Sequence, residues 1–207
     1  MNVKKPKVRE LKEAIKGLFS KPYTTEFPYK PHTPPARYRG KPEYNKDICV
    51  GCGACFQVCP AKAIEMIDKI ENGSATRTLI HHPSQCIFCG ECERNCITGE
   101  GIKLTTKFDI AYFEEKDTLN SVEHKLITCL HCGTVIGTEK HLQWVMKRLG
   151  NLGFAQPVLL TQLMETLKIK TDFEEKVVPP IQRTDMLKIV CPKCRRIAFI
   201  SDEKKER

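Results

Sequence analysis

Twelve cysteines dominate the chemistry that this sequence of 207 residues could perform. They occur in closely spaced groups, at Cys49, Cys52, Cys55, Cys59, Cys86, Cys89, Cys92, Cys96, Cys129, Cys132, Cys191 and Cys194. A secreted disulfide framework instead spreads its cysteines along the chain and follows a signal peptide. The N-terminal sequence has no continuous apolar h-region and no cleavage site. We therefore expect an intracellular, reducing setting in which the thiols bind metal.

The first eight cysteines form two copies of the motif Cys-x2-Cys-x2-Cys-x3-Cys. The segment CVGCGACFQVC, which begins at Cys49, recurs 37 residues later as CIFCGECERNC. Iron clusters require soft thiolate ligands, and each copy supplies four within a short reach. Two copies in register predict two [4Fe–4S] clusters in a bacterial-type ferredoxin domain with pseudo-twofold symmetry. Two zinc sites are the weaker alternative, because zinc sites generally use two separated cysteine pairs.

The spacing also predicts which cysteines share a cluster. Three cysteines of each copy wrap one corner of a cubane, and the x3 gap should carry the fourth onto the following helix, toward the other cluster. Because each cluster would then join both halves, metal binding would contribute folding free energy. The predicted ligands are Cys49, Cys52, Cys55 and Cys96 for cluster 1, and Cys86, Cys89, Cys92 and Cys59 for cluster 2.

Both predicted clusters are fully ligated, so neither offers a coordination position to a substrate. The sequence also has no phosphate-binding loop, no dinucleotide fingerprint and no nucleophile motif. We therefore predict no catalytic residues. The expected function is one-electron transfer through the two clusters, and the chain is not expected to be an enzyme by itself.

The last four cysteines form two separated pairs, Cys129/Cys132 and Cys191/Cys194. Cys-x-x-Cys-Gly followed by Cys-Pro-x-Cys is typical of one tetrahedral S4 site, with zinc as the first expectation and rubredoxin-type iron as the second. Free or disulfide-prone thiols and a third redox site remain alternatives. His131 lies inside the first pair, but an exposed position is the simpler interpretation because four cysteines already satisfy the metal.

The positive charge is concentrated at the N-terminus. Residues 1–46 contain nine lysines and three arginines against four glutamates, and so carry +8 of a net charge of +9. Such asymmetry favours an anionic partner. Within this leader, an apolar helical face is predicted over residues 6–19, and six prolines in residues 22–46 predict an extended arm. The face consists of Val8, Leu11, Ile15, Leu18 and Phe19.

Local patterns place a few further elements. Residues 63–68 and 76–81 are predicted strands around a turn at residues 71–73. One helical stripe contains Leu142, Val145, Met146 and Leu149, and a second contains Leu159, Leu163 and Leu167. The predicted fold class is α+β, with three domains. Residues 1–39 form the amphipathic helix and arm, residues 40–112 the two-cluster ferredoxin domain, and residues 113–207 a helical, zinc-ribbon-like domain.

Several of these motifs resemble a known family. RGKPE at residues 39–43, CVGCGACFQVCP at residues 49–60 and CIFCGEC at residues 86–92 resemble the iron–sulfur subunit of formate hydrogenlyase. Related subunits occur in membrane-bound group 4 [NiFe] hydrogenases and in respiratory complex I. The late cysteine pairs are similar to a C-terminal extension of the formate hydrogenlyase-type subunit, which the complex I subunit generally lacks.

The resemblance implies a peripheral electron-relay subunit without a transmembrane helix, on the cytoplasmic face of the cell membrane. Electrons would arrive from a ferredoxin or ferredoxin-like donor and leave toward the hydrogenase small and large subunits, while the N-terminal helix lies against the membrane subunits. The same relay role in a complex I-like or sulfane reductase complex is the alternative. A free ferredoxin is disfavoured by the additional segments. A nucleic-acid-binding protein is disfavoured because no recognition module is present, so no nucleic acid partner is expected.

Overall fold

The computed structural model describes residues 7–71, 74–169 and 189–197. It divides the chain into two compact units, Met1–Ala36 and Arg37–Arg207. Helices and strands are both present, as the predicted α+β class requires. Within the described ranges, no helix has the length and apolarity that crossing a bilayer would need.

The first unit contains one helix, α1 (Val8–Phe19), which confirms the helical prediction for residues 6–19. The Glu10 carboxylate accepts a hydrogen bond from the Lys7 backbone N–H at 3.1 Å, which stabilises the first turn. The helix ends before Pro22, and Ser20 is already extended. Residues 20–36, all described, form only turns and irregular chain, in keeping with the predicted arm.

In the second unit, two short antiparallel elements enclose the cysteine repeat. Strand β1 (Pro42–Tyr44) pairs with β4 (Ile102–Leu104) in a two-stranded sheet. Proline is tolerated at position 42 because it is the first residue of an edge strand. Between these strands, each cysteine copy contains a one-turn helix, α2 (Ala54–Gln57) in the first and α3 (Glu91–Arg94) in the second.

The predicted hairpin is present, and both strands are longer than the sequence indicated. Strand β2 (Ile64–Glu71) pairs antiparallel with β3 (Ser74–His81), with Ile64 opposite His81. Their pairing continues down to Glu71 and Ser74. The predicted turn includes residues 72 and 73, which lie outside the described residues.

Two strands that the sequence analysis did not predict extend this hairpin. Strand β5 (Asn120–Thr128) pairs with β3, and β6 (Val135–Thr138) pairs with β5, which gives the antiparallel order β2-β3-β5-β6. Val122 and Leu126 alternate with exposed residues, but buried His124 between them weakens the pattern of apolar alternation. The proposed domain boundary at residue 112 stays a prediction. Strand β5, which follows this boundary in the chain, pairs with β3 of the hairpin, which precedes it.

The two predicted apolar stripes lie on helices. They are α4 (Glu139–Leu149) and α5 (Pro157–Thr166), joined by a 3₁₀ segment, Gly150–Ala155. Thr138 caps α4 by accepting a hydrogen bond from the His141 N–H, and Pro157 occupies the first turn of α5. The zinc-ribbon-like character of this region stays a proposal. After the undescribed segment, residues 192–197 are helical.

The main apolar core lies between the sheet and the cysteine loops. Its buried members are Tyr44, Cys49, Cys55, Ile64, Leu79, Ile102 and Val122. Cysteine side chains therefore form part of the core itself. Because the apolar contribution of such a small cluster is modest, bound metal would add substantially to its stability.

Candidate iron–sulfur and metal centres

The two cysteine loops have the same local backbone. Gly53 and Gly90 occupy equivalent positions in the two copies, and each caps the N-terminus of its short helix in a left-handed conformation, with φ of 80° and 83°. Glycine adopts this conformation without the penalty that a Cβ atom would impose. The repeat in sequence is therefore also a repeat in structure.

The helices hold the third cysteine of each copy, not the fourth, and this corrects our expectation. Cys55 lies on α2 and Cys92 on α3. Cys59 and Cys96 lie two residues beyond the ends of these helices, because each helix makes a single turn and cannot extend across the x3 gap. The fourth cysteine is thus positioned by the turn after the helix.

Each copy of the motif contributes cysteines to two cavities of similar size. Cys86, Cys89, Cys92 and Cys59 line the first, and Cys49, Cys52, Cys55 and Cys96 line the second. The fourth cysteine of each copy therefore faces the cavity of the other copy. The remaining lining is mainly apolar, which suits a site that excludes water. Four thiol groups around an apolar space are a donor set that fits a [4Fe–4S] cluster.

Several groups hydrogen-bond to these sulfur atoms. The backbone N–H of Ala63 donates to Cys59 Sγ at 3.2 Å, and that of Phe88 donates to Cys86 Sγ at 3.4 Å. The Tyr44 hydroxyl lies 3.8 Å from Cys55 Sγ. Such donors stabilise negative charge on sulfur and are among the factors that set cluster potentials.

Burial changes the acidity of these thiols. It raises the pKa of Cys55 to about 11 and that of Cys92 to about 12. Burial also acts on Cys96, but the Thr98 hydroxyl and nearby backbone N–H groups outweigh it and lower the pKa of that thiol. Because metal ligation requires thiolates, iron binding at Cys55 and Cys92 would release protons.

Two arginines support the loops, and the sequence analysis missed both of these roles. Arg77 on β3 makes a bidentate ion pair with Asp68 at 2.7 Å and also donates to the Gly51 carbonyl at 3.3 Å. Arg39 donates to the Cys89 carbonyl at 3.2 Å. Arg77 lies directly opposite Asp68 in the hairpin register, because Glu71 pairs with Ser74. A three-residue turn at 71–73 would instead have placed Thr76 opposite Asp68, so the predicted turn did not give this pair.

Two buried histidines face the cysteine loops from the sheet. His81, the last residue of β3, lines the cavity that contains Cys59 and Cys86. His124 on β5 lies so close to Gly51 that a Cβ atom there would approach its Cδ2 atom to 2.6 Å. Burial lowers the pKa of His81 to about 4 and also lowers the pKa of His124. Neither buried histidine was assigned to the site from the sequence.

The four C-terminal cysteines lie together at a separate centre. The sulfur atoms of Cys129, Cys132, Cys191 and Cys194 all lie within 4.8 Å of one another. Cys132 Sγ is 3.7 Å from Cys191 Sγ, and tetrahedral zinc with bonds of about 2.3 Å would place sulfurs about 3.8 Å apart. In the described part of the chain this is the only such close group of potential ligands, whereas the other eight cysteines surround cavities. The close group suits one ion, and the cavities suit larger clusters.

Local hydrogen bonds support this S4 arrangement. The Cys191 N–H donates to Cys129 Sγ at 3.3 Å, and the Leu130 N–H donates to the Ile189 carbonyl at 3.0 Å, so the two pairs are joined directly. The hydroxyl and backbone of Thr134 lower the pKa of Cys132 to about 6, which favours a thiolate at neutral pH. His131 is exposed, as expected, and is not in the close group.

Comparisons with known proteins agree with the predicted family resemblance. Residues 33–100 match the family model for a 4Fe-4S dicluster domain. NADH-quinone oxidoreductase subunit I 2 of Geobacter metallireducens is 35% identical over 119 residues, which cover 54% of this chain and 89% of that protein. Formate hydrogenlyase subunit 6 of Escherichia coli is 30% identical over 131 residues, which cover 63% of this chain and 71% of that protein.

A solved structure is similar as well. A chain of the membrane-bound sulfane sulfur reductase, an archaeal respiratory membrane complex, is 30% identical and has a TM-score of 0.39 over 55% of this chain and 61% of that one. The two curated relatives are similar to this chain over most of their own length. The chain therefore belongs to the family of iron–sulfur electron-transfer subunits that includes NADH-quinone oxidoreductase subunit I and formate hydrogenlyase subunit 6.

Proposed function

We propose that this chain binds two [4Fe–4S] clusters through crossed ligand sets and relays electrons between them. Cluster 1 is held by Cys49, Cys52, Cys55 and Cys96, and cluster 2 by Cys86, Cys89, Cys92 and Cys59. The proposal rests on one observation, the two cavities that each contain three cysteines of one copy and the fourth of the other. The chain's own contribution is to exclude water with apolar side chains and to donate hydrogen bonds to sulfur.

The crossed assignment is tested by serine substitution of single ligands, followed by electron paramagnetic resonance of the reduced protein. Cys59→Ser should alter the same cluster signal as Cys89→Ser, although these residues belong to different copies. Cys96→Ser should alter the other signal together with Cys52→Ser. Serine keeps the size of the side chain and changes the ligand atom, so the cluster environment is otherwise preserved. If Cys59→Ser and Cys52→Ser altered the same signal, the ligand sets would not be crossed.

We propose that electrons enter from a ferredoxin or ferredoxin-like donor and leave toward the [NiFe] catalytic module of a membrane-bound hydrogenase complex. Partners in this proposal are the hydrogenase small and large subunits and the membrane subunits. Similarity to formate hydrogenlyase subunit 6 supports this assignment. Similarity to NADH-quinone oxidoreductase subunit I supports the alternative, the same relay in a complex I-like or sulfane reductase complex. Both assignments make the chain a non-catalytic subunit on the cytoplasmic face of the membrane.

Co-purification from the native membrane separates these two assignments. A complex isolated through this chain should contain a nickel-bearing large subunit if the hydrogenase assignment is right, and metal analysis should then detect nickel. A complex with the membrane subunits but without nickel would favour the complex I-like alternative. Isolation of the chain as a monomer that accepts electrons without partners would contradict both.

We further propose that Cys129, Cys132, Cys191 and Cys194 bind one zinc ion that stabilises the C-terminal part of the chain. The close sulfur group and the hydrogen bonds between the two cysteine pairs support a closed, structural site. Iron at the same ligands would give the visible absorption of a rubredoxin-type site.

Removal of the metal from this centre should leave the two iron–sulfur clusters intact. Cys132→Ser is expected to lower zinc from about one ion per chain to a small fraction, because it removes one of four ligands. The iron content should stay unchanged, and the midpoint of thermal unfolding should fall. Leu130→Ser, an exposed change in the same loop, is the matched control and should keep its zinc. A zinc content that Cys132→Ser does not alter would refute the site.

A further inference from the structure

His81 is a buried polar side chain with no partner inside the protein. It is 1% exposed, and neither ring nitrogen has a hydrogen-bond partner among the described residues. Leaving a buried donor unsatisfied destabilises a protein, so native structures rarely leave one without a purpose. The hydrogen-bond partner of His81 is therefore expected to be a bound group and not another atom of the protein.

The backbone fixes the direction in which this imidazole lies. Side chains alternate across a strand, so His81 is on the same face of β3 as Leu79. Leu79 lines the cavity of cluster 1, and His81 lines the cavity of cluster 2. Pairing with Ile64 on β2 and Asn120 on β5 holds the end of β3 on both sides. The imidazole is thus on a fixed strand, facing the cluster side of the sheet.

The cavity of cluster 2 offers the imidazole few other partners. Its lining contains four cysteines, which the proposed function assigns to iron, and mostly apolar residues otherwise. Sulfur accepts hydrogen bonds, and a neutral imidazole retains one N–H to donate. Hydrogen bonds to cluster sulfurs stabilise the more negative, reduced cluster and so raise its reduction potential.

We propose that His81 donates a hydrogen bond to a sulfur atom of cluster 2 and thereby raises the reduction potential of that cluster. The inference rests on the proposed ligation of cluster 2 by Cys59, Cys86, Cys89 and Cys92. In this role His81 acts on the cluster by its hydrogen bond and does not bind iron. It gives the two clusters different surroundings despite their repeated loops.

The first test measures the potential of cluster 2 in the full chain by redox titration. The signal is assigned through Cys89→Ser. His81→Leu should lower the reduced-to-oxidised ratio at a given potential about tenfold, which corresponds to about 59 mV for one electron. His81→Gln keeps an N–H donor and should restore most of the shift. His124→Leu, which removes the other buried imidazole of the sheet, should leave the potential of cluster 2 unchanged.

The second test detects the hydrogen bond directly and does not depend on the stability of His81→Leu. In protein with ¹⁵N-labelled histidine, electron spin echo spectroscopy should detect a weak nitrogen coupling to the reduced cluster 2. The coupling should disappear in His81→Gln while the potential stays near that of the unaltered protein. Two intact clusters with no such coupling would overturn the proposed role of His81 and leave the proposed function standing. Absence of iron clusters from the unaltered protein would overturn the proposed function instead.

Discussion

The sulfur atoms proposed as ligands differ in the groups that surround them. Cys55 Sγ lies 3.8 Å from the Tyr44 hydroxyl, and Cys96 Sγ lies 3.3 Å from Thr98 Oγ1. Both sulfurs belong to the proposed cluster 1. Burial raises the pKa of Tyr44 far above its ordinary value, so the hydroxyl stays protonated and can donate a hydrogen bond to Cys55 Sγ. Side-chain donors thus distinguish the two centres more than their backbones do.

Tyr44→Phe tests the effect of one such donor on cluster 1. Removing the hydroxyl while keeping the buried ring should shift the potential of cluster 1 to a more negative value, because reduction places negative charge next to a lost donor. Redox titration followed by paramagnetic resonance measures this shift. Tyr38→Phe removes a hydroxyl from a more exposed ring that packs against Phe108, and it should have no effect. Equal potentials in Tyr44→Phe and the unaltered protein would exclude the hydroxyl as a donor to the cluster.

At the scale of elements, the sheet is the support against which the cluster loops pack. β3 provides Leu79 and His81 to the two cavities, and Arg77 holds the Gly51 carbonyl. His124 on β5 packs against Gly51 in the same loop. The loop of cluster 1 can lie this close to β5 only because residue 51 has no side chain.

Gly51→Ala should therefore destabilise the loop of cluster 1 beyond the usual cost of a left-handed backbone. Gly51 has φ of +66°, and an added Cβ would lie 2.6 Å from His124 Cδ2. Gly99 has φ of +76° with open space around it, so Gly99→Ala is the matched control. We expect Gly99→Ala to cost about 1–2 kcal/mol and Gly51→Ala more. The rate of iron loss to a chelator measures the difference, and equal rates in the two variants would contradict the packing of β5 against the loop.

Much of this arrangement was predictable from residue types and spacing. The two-copy motif specified which four cysteines line each cavity, and apolar periodicity located α1, α4, α5 and the hairpin. Strand β5 was missed because buried His124 occupies an inward position where an apolar residue would be expected. Strand β6 was missed because it has only four residues, one of which is a glycine. The role of Arg39 could not be read from the sequence, since it lies 50 positions from the Cys89 carbonyl that it contacts. Its contact depends on the tertiary fold.

At the scale of the whole molecule, charge and chemistry occupy different parts of the chain. Residues 1–46 carry +8, and helix α1 exposes an apolar face, with Val8 84% and Phe19 83% exposed. A cationic helix with an exposed apolar face is suited to a membrane boundary or to membrane subunits. All proposed metal ligands lie beyond this segment.

Deletion of residues 1–20 should therefore release the chain from its complex and leave both clusters intact. The physical reason is the loss of the apolar face together with half of the leader's net charge of +8. The measurement compares the chain in membrane and soluble fractions, alongside the iron content of each. A variant with Leu11 and Ile15 changed to serine interrupts the apolar face but keeps the charge. Membrane association that neither change alters would contradict the role of α1.

The central claim is that one chain holds two iron–sulfur clusters close enough for electrons to pass between them. The most direct measurement is paramagnetic resonance of anaerobically prepared, fully reduced protein, with iron determined on the same sample. We expect about eight iron atoms and about two cluster spins per chain, with splittings caused by the interaction of the neighbouring clusters. A reduced, air-protected sample with no paramagnetic iron signal would contradict the account.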